Sequence, residues 1–253
     1  MRDYRKEYPY LYETHLHTME GSACAHCSGE EMAKACKAAG YTGIFVTDHN
    51  WGGNTAVNRR LPWKKFVEQF AKGYEKAKAV GERIGLDVFF GWESGYRATE
   101  FLIFGLSPAW MLAHPELWDA SIEEQFALVH AGGGLVIHAH PFREEYYIPQ
   151  IRLFPAHVDG VEGINATHSN SRSLSHNDRT FDDRAVAYAR EHGLVMTAGS
   201  DIHTTRLLGG GMAFRRKLKD GEDFVSAVRN QEDYILTNGE DWFDSRGERL
   251  FIV

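Results

Sequence analysis

The chain has 253 residues, 43% of them hydrophobic, and a formal net charge of −7 with an isoelectric point near 6.0. This size and apolar content suffice for the core of one large α/β domain, and we expect a single domain over residues 1–253. The acidic balance argues against stable nucleic-acid binding, because affinity for a phosphate backbone is built from many Lys and Arg residues.

Short β-rich runs alternate with helical patterns, which is typical of parallel β/α layering. In chain order, the sequence predicts strand 10–17, helix 28–39, strand 42–48, helix 62–84, strand 86–93, strand 101–106, helix 121–131, strand 135–140, strand 158–165, helix 182–192, strand 195–200, helix 222–230 and the short strand 234–237. No apolar run approaches the roughly 18 residues that span a bilayer, and the N-terminus lacks the apolar stretch of a signal peptide. We therefore expect a cytoplasmic protein that does not bind membranes; the sequence does not indicate its oligomeric state.

The three cysteines lie close together in the sequence, at Cys24, Cys27 and Cys36. A chain of this size does not need a disulfide, so reduced thiols are expected. Cys24 and Cys27 form a C-x-x-C pair, but no second pair is present to complete a structural zinc tetrahedron. Cys36 fits the buried side of the helix 28–39.

Imidazole and carboxylate side chains recur at the C-terminal ends of the predicted strands. These are His15, His17, Asp48, His49, Glu93, His140 and Asp201, with His203 two residues further on. In a β/α barrel the C-terminal ends of the strands meet at one mouth, where the following loops carry the chemistry. Imidazole and carboxylate together suit Zn²⁺, Mn²⁺ or Fe²⁺, so the sequence predicts a metal site at that mouth.

Five motifs stand in a fixed order: H-L-H at 15–17, T-D-H at 47–49, G-W-E at 91–93, A-H-P at 139–141 and G-S-D-I-H at 199–203. This ordered set resembles the PHP family, named for its polymerase-associated and histidinol-phosphatase members. The resemblance extends from His15 to about Thr237. It implies a distorted (β/α)₇ TIM-like barrel that holds two or three divalent ions, Zn, Mn or Fe, at the C-terminal ends of its strands and hydrolyses phosphate esters.

The resemblance also implies roles for individual residues. The ligands of the first metal would be His15, His17, Glu93 and Asp201. Glu93 would bridge to a second metal that also binds His140. His49 and His203 resemble ligands of a third metal, with Asp48 either a ligand or a carboxylate that orients one.

Two positions depart from the family pattern. Many members carry a histidine on the strand after the glutamate, where this chain has Leu102, so the second metal has fewer ligands. Members with three metals carry a further histidine six residues after H-x-H, where this chain has Ala23. The nearest substitutes are His26, Glu20 and Cys24. Sites with two metals and with three therefore both remain open.

Residues on the long loops are candidates for the substrate. Arg143 can form the bidentate fork that suits a phosphate, with Asn165 and Arg206 as further substrate-binding candidates. His168, His138 or His203 would protonate the leaving alkoxide, and His168 and Asp48 are our candidate catalytic residues beside the metals.

The function that these features favour is hydrolysis of a small phosphorylated metabolite, such as a nucleotide, a sugar phosphate or a cyclic phosphodiester. A metal-bound hydroxide would be the nucleophile, because a divalent ion lowers the pKa of its water from 15.7 to about 7. The alternatives are a histidinol-phosphate phosphatase, an amidohydrolase-like C–N hydrolase, or a non-catalytic metal-binding PHP module.

Overall fold

The computed structural model describes residues 4–206 and 209–251. Its strands are β1 (Tyr10–Glu13), β2 (Gly43–Val46), β3 (Asp87–Tyr96), β4 (Thr99–Phe104), β5 (Leu135–Ala139), β6 (Gly160–Asn165), β7 (Val195–Gly199), β8 (Gly210–Phe214), β9 (Tyr234–Asn238), β10 (Trp242–Asp244) and β11 (Arg249–Leu250). Its helices are α1 (Tyr4–Glu7), α2 (Gly29–Ala38), α3 (Trp63–Phe70), α4 (Lys72–Ile84), α5 (Pro108–Ala113), α6 (Ile122–Ala131), α7 (Ala166–Ser169), α8 (Thr180–His192) and α9 (Gly221–Arg229), with a 3₁₀ helix at Pro115–Trp118. The predicted mixed α/β class is confirmed.

The strands of the described residues form one sheet in the order β11-β10-β9-β8-β1-β2-β3-β4-β5-β6-β7. Strands β1 to β3 are parallel neighbours, and so are β5 to β7. A parallel bridge between Leu16 and Ile202 joins the segment after β1 to the segment after β7. The sheet therefore curls until its two parallel parts meet, and the C-terminal ends of both open onto one mouth, as predicted for a barrel-like fold.

Strand β4 runs against its neighbours, which differs from the all-parallel order that the sequence pattern predicts. The turn from β3 into β4 consists of Arg97 and Ala98, which both have left-handed φ values of 50° and 61°. Two consecutive residues with positive φ are typical of the tight turn of a hairpin. Consequently β4 begins at the mouth, where the parallel strands end. Strands β8 to β11 form a further antiparallel extension beside β1.

The helix boundaries follow their capping residues. Ser28 and Ser121 each form a reciprocal capping box with a glutamate three residues later, at the predicted starts of α2 and α6. The predicted helix 62–84 is instead divided at Ala71 into α3 and α4. Gly73 follows this break and packs so closely on the Thr18 loop that a Cβ there would lie 2.0 Å from Thr18 Oγ1.

An aromatic cluster fills the inside of the curled sheet below the mouth. The Phe45 ring on β2 lies 4.6 Å from Phe224 on α9 and 5.1 Å from Phe104 on β4, measured between centroids. Leu102 is fully buried in the same cluster. No helix within residues 4–206 and 209–251 combines the length and the apolar character needed to cross a membrane.

Candidate metal centre

His15 and His17 are fully buried at the mouth, just beyond β1. His15 Nδ1 lies 2.9 Å from Glu162 Oε1, and His17 Nδ1 lies 3.0 Å from Ser22 Oγ. These contacts turn the Nε2 atoms of both rings towards Asp201 Oδ1, at 3.4 Å each. With Nδ1 occupied, Nε2 of each ring is the nitrogen available to a metal.

Two carboxylates, those of Glu93 and Asp201, lie close to these imidazoles. Glu93 Oε1 lies 3.3 Å from His15 Nε2, and Glu93 Oε2 lies 3.5 Å from His17 Nε2. Asp201 has a left-handed φ of 52°, and His140, the next predicted ligand, has a φ of 30°. Such backbone conformations are costly for residues other than glycine and cluster at functional sites. The four predicted ligands of the first metal thus lie together.

Glu100 is a site residue that the sequence reasoning missed. Its Oε1 lies 3.3 Å from His49 Nδ1, and its Oε2 lies 3.6 Å from His140 Nε2. His140 Nε2 is also 3.1 Å from Glu93 Oε1. Because β4 begins at the mouth, Glu100 lies there while Leu102, two residues further along β4, points into the core. A carboxylate therefore stands beside the second predicted metal position, where the family pattern has a histidine.

His49, His203 and Cys24 form the outer part of the centre. The rings of His49 and His203 each lie 4.4 Å from the His17 ring, between centroids. His203 Nδ1 lies 3.1 Å from the backbone oxygen of Asp201, which leaves its Nε2 free of that contact. Burial raises the pKa of the Cys24 thiol, but hydrogen bonds with His203 and His49 outweigh it and bring that pKa to about 7.

The orphaned atoms of this cluster fit a metal. Among the described residues, the buried side-chain atoms without a hydrogen-bond partner include His15 Nε2 and His17 Nε2, while His49 Nδ1 lies 2.8 Å from Glu93 Oε2. Buried polar atoms without partners are rare, because each costs about 1 to 3 kcal/mol. The side chains also form groups of three whose ligand atoms all lie within 4.8 Å of one another. Those groups are His15 with His17 and Glu93, His15 with His140 and Asp201, His49 with Glu93 and Glu100, and His17 with His49 and His203.

Opposite charges pack closely in the buried cluster. Burial would raise the pKa of the Glu93 carboxyl, but the charges of His49 and His15 hold it well below its usual range. Burial would likewise raise the pKa of Asp201, which His15 and Arg143 hold well below its usual range. Burial and the nearby Glu93 charge raise the pKa of Glu100. The centre thus keeps Glu93 and Asp201 ionised, which is the form that binds cations.

Asp48 lies behind the cluster, and the hydrogen bonds of its carboxylate go to Thr18 and Ser22. Its Oδ1 accepts hydrogen bonds from the Thr18 amide at 2.6 Å and from Ser22 Oγ at 2.7 Å, and its Oδ2 accepts one from Thr18 Oγ1 at 2.6 Å. Since Ser22 Oγ also contacts His17 Nδ1, the Asp48 carboxylate is connected to the His17 ring by hydrogen bonds through Ser22. Of the two roles expected for Asp48, this geometry favours the orienting carboxylate.

Arg143 lies at the mouth in a chain of buried contacts. Its Nη2 donates to Asp201 Oδ2 at 2.6 Å and to Thr167 Oγ1 at 3.1 Å. Its Nε donates to His168 Nε2 at 3.0 Å, while His168 Nδ1 lies 2.8 Å from Asp182 Oδ1. His168 Nε2 therefore accepts the hydrogen bond from Arg143 and is unprotonated. In this arrangement His168 orients Arg143 and does not face a leaving group.

The remaining predicted residues lie apart from the reacting centre. Asn165 is fully buried, where its Nδ2 donates to Glu162 Oε2 at 2.9 Å and its Oδ1 accepts from the Thr167 amide. Arg206 is exposed on the loop after His203 and does not line the mouth. His138 is buried against Phe101, where burial and the His140 charge lower its pKa to about 3.

A cavity of about 680 Å³ opens onto the cluster. Its walls include His26, Tyr146, Tyr147 and His176 as well as the metal-binding side chains. His176 has a left-handed φ of 54°, and its Nδ1 contacts Glu145 Oε1. A groove of similar volume, about 710 Å³, lies at the opposite end of the sheet between α4, β3 and α9, and none of the predicted site residues lines it.

Comparisons with a family model and with solved structures relate this architecture to known proteins. Residues 180–232 match the family model described as PHP-associated. A two-domain protein from Bacteroides vulgatus, containing a predicted PHP-like metal-dependent phosphoesterase, superposes with a TM-score of 0.64 at 15% identity over 92% of this chain. The present chain spans 66% of that protein's length. A comparison with curated proteins finds no match.

Two further solved structures share the fold. A putative metal-dependent phosphoesterase from Bifidobacterium adolescentis has a TM-score of 0.55 at 16% identity, over 87% of this chain and 95% of that one. An amidohydrolase from Chromobacterium violaceum, solved with bound sulfate and no metal, has a TM-score of 0.52 at 15% identity, over 76% of this chain and 87% of that one. The family match of residues 180–232 and the shared fold make the chain similar to PHP-type proteins, the family that its ordered motifs resemble.

Proposed function

We propose that the chain is a metal-dependent phosphoesterase that hydrolyses a small phosphorylated metabolite. The observation that carries the proposal is the convergence of His15 Nε2 and His17 Nε2, buried and without hydrogen-bond partners, on Glu93 and Asp201, beside a buried arginine at an open cavity. The solved structures that share the fold include proteins described as metal-dependent phosphoesterases, which supports the same reaction class.

The ligand set divides between two inner positions. His15, His17, Glu93 and Asp201 would hold the first ion, and Glu93, His140 and Glu100 the second. Divalent ions bound there would supply an activated water at neutral pH and offset the charge of a phosphate undergoing in-line displacement. Three carboxylates beside the imidazoles make the site richer in oxygen ligands than the motifs alone predict, which favours Mn²⁺ or Fe²⁺ at the inner positions.

Arg143 binds the phosphate in this proposal. Its Nη2 is held by Asp201 and Thr167 and its Nε by His168, while its Nη1 forms no hydrogen bond within the described residues. A guanidinium fixed on two sides presents its remaining N–H groups in a set direction, as recognition of a phosphate requires. His168 and Asp182 are then positioning residues for Arg143.

His176 is our candidate for the proton donor to the leaving alkoxide. It lines the cavity with Arg143, and its Nδ1 is occupied by Glu145, so Nε2 is the nitrogen left to face the substrate. His168, the donor expected from sequence, has its Nε2 occupied by Arg143. General-acid catalysis of this kind contributes about 10²- to 10⁴-fold to the rate.

A screen for released phosphate tests the proposal, using nucleotides, sugar phosphates, histidinol phosphate and cyclic phosphodiesters with Mn²⁺ or Zn²⁺ supplied. We expect turnover of at least one of these classes by the wild-type protein and none by His17→Ala. Turnover of amides but not phosphate esters would favour an amidohydrolase, the second reaction class found among proteins of this fold. Tight metal binding with no turnover of either class would favour a non-catalytic metal-binding module.

A further inference from the structure

The exposed large apolar side chains of the protein collect on the loops around the mouth. Within residues 4–206 and 209–251, the large apolar side chains that are exposed are Met19, Tyr146, Tyr147, Leu153, Leu174 and Phe251. All but Phe251 lie on the loops that follow β1, β5 and α7, which begin at the mouth. Exposed apolar groups that gather in one place mark a surface that binds a ligand or a partner.

Two of these side chains, Tyr146 and Tyr147, line the cavity that opens onto the metal centre. Tyr146 is 97% exposed and Tyr147 is 47% exposed, so Tyr147 is the inner ring of the pair. Their rings are perpendicular, with centroids 5.2 Å apart. Two aromatic rings on the wall of an open cavity offer flat apolar area to whatever binds there.

The two tyrosines are presented by a turn that is attached to the fold. The Ile148 amide donates to the backbone oxygen of Glu145 at 2.9 Å, so the tyrosines are the central residues of a β-turn. The residue before this turn, Glu144, forms an ion pair with Arg184 on α8. The exposure of the two rings therefore belongs to a turn with defined contacts.

The same turn stands beside the groups proposed to bind and protonate the substrate. Glu145 contacts Nδ1 of His176, the proposed proton donor, and Arg143 precedes the turn by two residues. Burial raises the pKa of the Tyr147 phenol to about 12, against the opposing charge of Arg143. The phenol is thus neutral and close enough to Arg143 for that charge to act on it. A phosphate bound at Arg143, with its leaving oxygen towards His176, would direct its leaving group onto the two tyrosines.

We propose that Tyr146 and Tyr147 form a subsite for the leaving group, and that the substrate is a phosphate ester whose leaving group carries a planar aromatic ring. This inference rests on the proposed phosphoesterase function and names its substrate class. Stacking on a tyrosine needs only the flat face of the substrate ring and no matched set of hydrogen-bond groups.

Two kinds of ester carry such a ring. In a nucleoside phosphate, a ribose separates the base from the phosphate, so the base extends to the outer ring of Tyr146. In the phosphate ester of a phenol, the ring is bonded directly to the ester oxygen and lies against the inner ring of Tyr147. The two sources therefore depend on different tyrosines.

Matched esters with and without the ring test the subsite. Adenosine 5′-monophosphate and ribose 5-phosphate share a phosphorylated ribose and differ in the base. We expect kcat/KM of the metal-loaded wild type to be about tenfold higher for adenosine 5′-monophosphate, because stacking on an aromatic side chain strengthens binding by about this factor or more. Tyr146→Ala should remove most of that preference and leave kcat/KM for ribose 5-phosphate unchanged.

Two control variants separate the ring from other effects of substitution. Tyr146→Phe keeps the ring and should keep the preference. Leu153→Ala is the matched control, because Leu153 is exposed on the same loop but does not line the cavity, and it should also keep the preference.

Phenyl phosphate and methyl phosphate distinguish the source of the ring. A loss of about tenfold on phenyl phosphate but not on methyl phosphate in Tyr147→Ala, in a protein that does not prefer adenosine 5′-monophosphate, would assign the ring to a phenol. A wild type that prefers neither aromatic ester, or a preference that survives Ala at both tyrosines, would overturn the subsite.

Failure of the subsite is distinguishable from failure of the phosphoesterase proposal. Hydrolysis of these esters without any preference for the ring would refute the subsite alone. If none of the four esters is hydrolysed by metal-loaded protein, the same comparisons are made as dissociation constants by titration calorimetry. Tighter binding of the aromatic esters, lost in the Ala variants, would then support the subsite in a protein without the proposed activity, and equal binding would overturn it.

Discussion

Replacing Glu162 by Gln perturbs the centre without changing any of the proposed metal ligands. Glu162 Oε2 accepts hydrogen bonds from the His140 amide at 3.2 Å and from Asn165 Nδ2 at 2.9 Å, so the oxygen of a glutamine would be held at that position. Its amide nitrogen would then face His15 Nδ1, where Glu162 Oε1 now lies at 2.9 Å. An N–H donor there favours the His15 tautomer with its proton on Nε2, which removes the lone pair that a metal needs.

Loss of a carboxylate that orients a metal-binding histidine costs about 10- to 100-fold in metal affinity, which corresponds to about 1.4 to 2.7 kcal/mol. We therefore expect Glu162→Gln to weaken the tightest metal-binding step by that factor, measured by competition with a chromophoric chelator. Glu240→Gln is the control, because Glu240 is an exposed carboxylate that contacts Ser171. Equal metal affinities for wild type and Glu162→Gln, in folded protein, would refute the orienting role of Glu162.

Three other variants test separate parts of the site. Glu100→Gln should weaken binding of the second inner ion about tenfold and leave the first unchanged in a metal titration; a uniform effect on both ions would contradict its assignment. Arg143→Lys, which cannot keep the contacts with His168 and Asp201 together, should raise KM for a phosphate ester about 10- to 100-fold, and an unchanged KM would exclude phosphate binding by Arg143. His176→Asn should lower kcat for an alkyl phosphate about 100-fold but barely affect p-nitrophenyl phosphate, whose leaving group needs no proton; equal losses on both substrates would rule out a proton donor.

The sequence predicts which side chains of the candidate centre lie close together, because they follow parallel strands. His15, His17 and Asp201 come directly after β1 and β7, and the bridge between Leu16 and Ile202 brings those two ends together. Parallel strands place their C-terminal ends at one edge, so the position in the sequence is enough to predict proximity in space.

Glu100 could not be found in this way, because it precedes its strand. Only the reversal of direction at Arg97 and Ala98 puts the start of β4 at the mouth, and that turn has none of the Gly or Asn residues that usually mark a hairpin. A carboxylate just after the G-W-E motif was the one available signal. Its distance from Glu93 along the chain does not reveal that the two share a face.

The contacts that orient the ligands are also invisible in the sequence. Glu162 orients His15 through a contact with its Nδ1, and Asp182 orients His168 in the same way. Both contacts depend on the directions of buried side chains. The same directions decide that His168 Nε2 meets Arg143 and that Asp48 meets Thr18. Residue type and spacing suggested a catalytic role for His168 and Asp48, whereas the hydrogen bonds indicate that both position other groups.

Metal dependence of phosphate release is the most direct test of the whole account. Protein stripped with a chelator and dialysed should release phosphate from its best substrate only at the background rate, and addition of Mn²⁺ or Zn²⁺ should restore the full rate. Release of phosphate at the full rate by folded protein with no measurable bound metal would contradict the account.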